Sequence, residues 1–472
     1  MNVPPDAGRS WWLRDAFADP SLAGEPAPPL ATDTSADVVI LGGGYTGMWT
    51  ALQLNERDPG LDIVILEQDI CGGGPSGRNG GFANSWWSGL PHICEDFGDE
   101  AALRLCRMGE DSVHAIGAFC AANDIDAWFA PDGDLGFATS KAQIGEWADI
   151  VMAAERLGIA DQFRVLTTQE SRALVDSPVF FGGIETTHGA TVQPARLARG
   201  MRRTLQSKGI RIYEGSPVTR FGQGDPAIAQ TPGGSVRAGQ AVIALNAWAS
   251  HWKRFRRAIT VRGSYIVLTD PAPDKLEALG WTDGAGLWDY RAALHYVRTT
   301  PDGRIAFGVG GMQPNLARHI GPRFAWDEPA VRVAINDLHR MFPTFTDVPL
   351  AAAWGGPIDV AGSHLPFFGT MGAAGNVHFG LGYTGNGVAP AHLGGRILAA
   401  RILNAEDEAL DLPIVDLEPM KFPPEPIRSP GALIANTAIR RKDEFEDRDE
   451  EANPFVDFVA RLPRRLGYNL GP

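Results

Sequence analysis

The chain has 472 residues, 44% of them hydrophobic, and a net charge of −14. That length predicts two domains with a large core, and the acidic balance excludes nucleic acid or an anionic membrane surface as the main partner. No apolar run approaches the ~20 residues of a membrane span, and the amino terminus has no signal-peptide core, so a cytoplasmic location is expected.

Residues 1–35 carry Pro4, Pro5, Pro20, Pro26, Pro28 and Pro29 and predict an extended arm anchored by Trp11 and Trp12. Val38 to Leu41 is an apolar run that predicts a buried parallel strand. Gly42, Gly44 and Gly47 follow with G-x-G-x-x-G spacing. A helix from Thr46 to Leu54 comes next, then a second strand, Ile63 to Leu66, ending in Glu67. Strand, glycine turn, helix, strand and acid make a complete dinucleotide fingerprint. The glycines let backbone approach a pyrophosphate at the positive end of the helix. Glu67 suits the two hydroxyls of an adenosine ribose and would repel a 2′-phosphate.

A second glycine cluster runs from Cys71 to Gly81 and includes Gly74, Ser76, Arg78, Asn79 and Gly80. It predicts a loop that either lies along a pyrophosphate and ring or is only a surface loop. Arg78 stands where a nucleophile elbow requires glycine, so Ser76 is not such a nucleophile. The four cysteines (Cys71, Cys94, Cys106, Cys120) form no C-x-x-C pair, which predicts free thiols and no metal site.

Helical periodicity covers Glu100 to Asn123. Ala127 to Thr139 predicts two strands around Asp132-Gly133-Asp134, and Lys141 to Leu157 a helix. Phe180 to Thr187 is strand-like, Pro194 to Lys208 helical, and Ile210 to Tyr213 and Ser216 to Phe221 are strands. Val242 to Leu245 is a buried strand ending in Asn246-Ala247-Trp248. Strands dominate from Ile259 to Gly311, a helix covers Glu328 to Phe342, and Ala351 to Trp354 leads into Gly355-Gly356-Pro357-Ile358-Asp359. Val377 to Leu381 runs into a third glycine turn, Gly382, Tyr383, Thr384, Gly385, Asn386 and Gly387, and then an apolar helix to Leu403. A second helix amino terminus aimed at a ligand explains that pattern; a packed turn is the plainer alternative. The mixed charges of Arg440 to Asp447 predict a solvated helix.

Three glycine motifs in this order, with Ala244 to Trp248 and Trp354-Gly355-Gly356, resemble the D-amino-acid oxidase superfamily of FAD-dependent oxidoreductases, within its amine-oxidising branch. The resemblance spans roughly residues 36 to 403. It implies an α/β fold: a Rossmann-like, glutathione-reductase-type FAD domain from residues 36–120, 190–255 and 350–405, and a mixed-sheet α+β substrate domain from 121–189 and 256–349. Residues 406–472 form a carboxyl-terminal arm.

The resemblance also implies residue roles. Gly42, Gly44, Tyr45, Thr46 and Gly47 lie at the pyrophosphate, and Glu67 at the ribose. Gly74, Ser76, Arg78, Asn79, Gly80 and Gly81 run beside the pyrophosphate and ring. Val218 reaches the adenine, and Gly356 and Gly382 to Gly387 face the ring. Pro75 and Asn386 depart from the usual pattern, where a small residue and a histidine are common. Relatives acting on amino acids often carry an arginine carboxylate clamp after the tryptophan-glycine segment; Gly356 to Asp359 has none, which favours an amine. The third motif has no Cys or His, so FAD is expected to be non-covalent.

The implied chemistry is hydride loss from the amine α carbon to the flavin, hydrolysis of the imine, and reoxidation by O2 or another acceptor. Strand ends of the second domain offer Tyr265, His295, Tyr296, Arg298 and Trp354 as substrate-facing candidates. Arg298 suits a remote carboxylate or phosphonate or, equally, a structural ion pair. His295 and Trp354 have structural alternatives, and Asp359 and His364 can be turn residues. Competing readings are a dehydrogenase feeding a quinone or carrier, a non-catalytic flavoprotein, and a nicotinamide enzyme. The last lacks a second full fingerprint.

Overall fold

Val38 to Leu41 and Ile63 to Leu66 are wholly apolar because helices or hairpins cover both faces of the sheet they build. The computed structural model describes residues 9–314 and 320–468. In it the Thr34–Leu41 strand is central to an eight-stranded sheet, parallel to Gly234–Ile243 on one side and to Ile63–Leu66 on the other. Arg211–Tyr213 and Val377–Leu381 extend the parallel order, and Phe367–Met371 closes one edge antiparallel. Helices Tyr45–Arg57, Asp99–Ala122, Pro194–Ser207 and Val388–Leu403 bury Trp49, Ile116, Leu197 and Ile397 in one core with this sheet. The opposite face carries the Ala227–Thr231 hairpin, Phe255 and Phe379.

The second sheet has the order Leu350–Ala361, Ile259–Thr269, Ile305–Pro314, His295–Thr299, Gly286–Asp289, Asp134–Phe137, Gly183–Thr186 and Phe163–Leu166. All its pairs are antiparallel except Gly286–Asp289 with Asp134–Phe137. Helix Glu328–Met341 covers one face over a core with Phe137, Trp281, Phe307 and Phe342. The other face of its long strands turns toward the first sheet. This is the two-sheet α/β architecture expected from the sequence.

Several local expectations differ. The arm is helical at Trp11–Ala18 and Pro20–Ala23, because Ser10 and Asp19 cap these turns and Trp12 is fully buried against Trp354. Pro4 and Pro5 lie outside the described residues. Only Asp134–Phe137 forms a strand in the 127–139 stretch, and a 3-10 turn, Lys141–Gln143, precedes a shorter helix, Ala148–Arg156. Leu350–Ala361 is one continuous strand through its glycines and Pro357, and it belongs to the second sheet. The Arg428–Glu446 helix is not simply solvated: Asp443 is buried near Arg291.

Candidate active site between the two sheets

The Thr34–Leu41 strand ends in Gly42, whose φ of +109° turns the chain sharply into the Tyr45–Arg57 helix. The turn is tight: a Cβ on Gly47 would stand 2.1 Å from the Gly42 carbonyl oxygen, and one on Gly42 2.4 Å from that of Ala244. Gly44 is the helix cap and offers no side-chain acceptor. A Cβ there would meet only the Ser76 hydroxyl, at 3.1 Å. The first helical turn is therefore open toward the second glycine cluster, and the Tyr45 amide donates to Ser76 Oγ at 2.9 Å.

Glu67 closes the far side. Its carboxylate accepts the Gly43 amide at 2.8 Å and the Asp69 amide at 2.9 Å, and burial pushes its pKa up to about 7. Below it Glu214, fully buried, accepts the Cys71 amide at 2.8 Å and pairs with Arg202 at 3.0 Å and Arg199 at 3.3 Å. Val218 is partly buried at the edge of the same sheet.

The second cluster is held by its own side chains. Asn79 Nδ2 donates to the Pro75 and Ser76 carbonyls, and its oxygen accepts the Gly81 amide at 2.7 Å. Arg78 Nε donates to the Gly73 carbonyl at 2.8 Å, and its aliphatic stem lies over Gly356. Trp248, just past the Gly234–Ile243 strand, approaches Gly74. The third turn is tied to the second sheet by Asp359, which accepts the Gly382 amide at 2.5 Å and Asn246 Nδ2 at 2.7 Å. Burial raises the Asp359 pKa to about 6 against those hydrogen bonds. Thr384 has positive φ; its hydroxyl donates to the Gly382 carbonyl and accepts the Ala361 amide. Tyr383 accepts a bond from Thr46 Oγ1 at 2.8 Å, and Asn386 donates to the Ser85 carbonyl, so the three glycine turns converge on one groove.

The second sheet roofs that groove, and strand alternation decides which candidates face it. Tyr296 does: its ring lies against Gly80, and its hydroxyl is 2.6 Å from Ser264 Oγ. His295, its neighbour, points to the opposite face, fully buried between Asp289 (2.7 Å) and Asp337 (3.0 Å). Tyr265 also points away and donates to the Arg323 carbonyl at 2.6 Å. Arg298 shares the face of Tyr296 but is spent on structure. It donates to the Val192 and Thr299 carbonyls, and burial lowers its pKa to about 9. Trp354 is wholly buried and donates to the Arg78 carbonyl at 2.8 Å, beneath the loop rather than at a rim. Of the five candidates, Tyr296 alone lies on the groove face without being committed to a structural hydrogen bond or ion pair beneath it. Ser264, on the same face as Tyr296, is not among the candidates read from the sequence; strand alternation from Tyr265 is the signal for it.

The family profile described as FAD dependent oxidoreductase (DAO) matches residues 37–401. The chain belongs to this family. Its relatives include gamma-glutamylputrescine oxidoreductase of Escherichia coli (strain K12), 29% identical over 396 residues, which are 82% of this chain and 88% of that protein. The probable oxidoreductase OrdL of Rhizobium meliloti (strain 1021) is 28% identical over 94% of this chain and 99% of that one. The fold is also similar to crystalline glycine oxidase from Geobacillus kaustophilus, at a TM-score of 0.64 and 19% identity over 79% of this chain and 96% of that one.

FAD is accordingly the cofactor of this oxidoreductase. The residues present fit it. The open first turn beside Gly44 is a cradle that a single Cβ would narrow, and Glu67 sits at the end of the second strand as a ribose acceptor requires. No helix among the described residues is long and apolar enough to cross a membrane.

Proposed function

We propose that this flavoenzyme oxidises an amine: hydride leaves the α carbon, and the resulting imine hydrolyses to a carbonyl product and a smaller amine. The observation that carries the reading is the stretch Gly356-Pro357-Ile358-Asp359, which lacks an arginine, while its acid, Asp359, is consumed in holding Gly382 and Asn246. The likeness to gamma-glutamylputrescine oxidoreductase supports an N-substituted amine of that kind.

FAD, bound without a covalent link, supplies the hydride acceptor. Gly42, Gly44, Tyr45, Thr46 and Gly47 hold its pyrophosphate, Glu67 its ribose, and Val218 its adenine. Gly74, Ser76, Arg78, Asn79, Gly80 and Gly81 run beside the pyrophosphate and ring, with Gly356 and Gly382 to Gly387 at the ring. Tyr296 and Ser264 form the wall that positions the substrate carbon, and burial raises the Tyr296 pKa to about 12, so it acts as a neutral hydrogen-bonding group.

The test is an absorbance spectrum of the FAD-loaded protein before and after anaerobic addition of an amine panel. Bleaching by an amine supports the reading; flavin bands that no amine bleaches overturn it. Peroxide formed on admitting air identifies an oxidase, and its absence a dehydrogenase that uses a quinone or carrier.

A further inference from the structure

Arg262 lies on the Ile259–Thr269 strand, 8% exposed, and its Nε has no hydrogen-bond partner among the described residues. Arg298 meets no carboxylate but donates to the Val192 and Thr299 carbonyls, whereas Arg199 and Arg202 face the Glu214 carboxylate and Arg291 that of Asp447. Arg262 faces no carboxylate among the described residues. Burial alone acts on it and lowers its pKa to about 10. An uncompensated buried cation is costly, and a site that binds an anion is the ordinary reason for keeping one.

Its place fits that use. In the register of the two adjoining strands Arg262 is opposite Ile358, Ser264 opposite Gly356, and Ile266 opposite Trp354. Directly opposed residues share a face, so Arg262 is on the groove side with Ser264 and Tyr296. At this level Ile358 reaches Gly385 of the third turn, and Gly356 carries the Arg78 stem. The register with the Ile305–Pro314 strand is irregular on both sides of Gly263, and Arg262 Nη1 rests beside Gly311, whose φ is +69°. The guanidinium thus stands one strand away from the place where the sequence lacks an arginine.

We propose that Arg262 is the anion-binding residue of the substrate pocket and takes a carboxylate carried by the amine. This rests on the amine reading above and narrows it to amines whose carboxylate is remote from the oxidised carbon.

The test titrates FAD-loaded wild type, R262Q and R262K with propionate and with propionamide, followed by the flavin absorbance. Propionate is expected to perturb the wild-type spectrum far more strongly than propionamide. R262Q is expected to weaken propionate binding on the order of 30-fold, as loss of a charge-assisted hydrogen bond implies, and R262K to fall between. Equal response to both ligands in the wild type, or unchanged propionate affinity in R262Q, overturns the proposal. So does a shifted flavin midpoint potential with unchanged propionate affinity, which places the cation at the ring instead. If R262Q does not retain FAD, R262K decides by the same titration, and unchanged affinity there overturns it. Propionate binding requires no oxidisable amine, so a failed amine panel and a failed anion site are separate results.

Discussion

Trp354 donates its indole N–H to the carbonyl oxygen of Arg78 at 2.8 Å, across 276 residues of sequence. The bond pins the second glycine cluster to the long strand of the other sheet, with the Trp12 ring packed edge-on beneath at 5.6 Å. Trp354→Phe keeps the packing and leaves the Arg78 carbonyl without this donor. The expected cost is about 1–2 kcal/mol of stability, read by denaturant titration, with substrate preference unchanged. A change in substrate preference without loss of stability would return Trp354 to the pocket wall.

Gly44 and Gly47 separate binding from folding. A Cβ on Gly47 collides with the Gly42 carbonyl, whereas one on Gly44 meets only the Ser76 hydroxyl. Gly47→Ala is expected to fold poorly, with a loss above ~3 kcal/mol. Gly44→Ala is expected to fold and to bind FAD at least ~10-fold more weakly, about 1.4 kcal/mol. Circular dichroism with fluorimetric FAD titration reads both.

Glu214 joins the second cluster to buried arginines. Burial works against its charge, but the Cys71 amide and Arg202 prevail and hold its pKa below the usual value of 4.5. A depressed carboxylate stabilises the fold above its unfolded pKa and loses that contribution as pH falls through the folded one. Glu214→Gln is therefore expected to flatten the acid limb of the stability profile below about pH 4.5 and to cost about 3–5 kcal/mol at neutral pH. Thermal melts across pH measure it.

His295 has the opposite sign. Burial pulls its pKa down, yet the Asp289 charge and the hydrogen bonds to Asp289 and Asp337 outweigh that and raise it above 6.5. Its contribution is complete below pH 6.5 and lost as pH rises through the folded value. Arg291, Arg340, Asp443 and Asp447 complete this cluster, the last two from the Arg428–Glu446 helix and its end. His295→Gln is expected to remove the alkaline decline in melting temperature while flavin reduction persists. Abolished reduction with an intact fold would contradict the structural role.

Tyr296→Phe removes the hydroxyl partner of Ser264 and leaves the ring on Gly80. Full FAD content with kcat/KM lowered about tenfold is expected for a positioning hydroxyl, roughly 1.4 kcal/mol. Unchanged kcat/KM would remove Tyr296 from the site.

The dinucleotide half of this protein is legible in the order of its residues. The strand from Val38, the glycines 42, 44 and 47, and Glu67 are contiguous, so spacing alone carries the geometry. The third glycine turn and the helix after it were legible for the same reason. Which side chains of the second sheet face the groove depends on pleating and register. Residues 295 and 296 are neighbours in the chain, but pleating sends one to a buried ion cluster and the other to the groove. Arg298 and Arg262 are both buried arginines of one sheet. Only the cross-strand register and the Val192 carbonyl distinguish the one used for structure from the one whose Nε is left without a partner. The amino-terminal helix and the buried Asp443 escaped the sequence because their partners, Trp354 and Arg291, are distant in the chain. Local periodicity carries no information about such contacts.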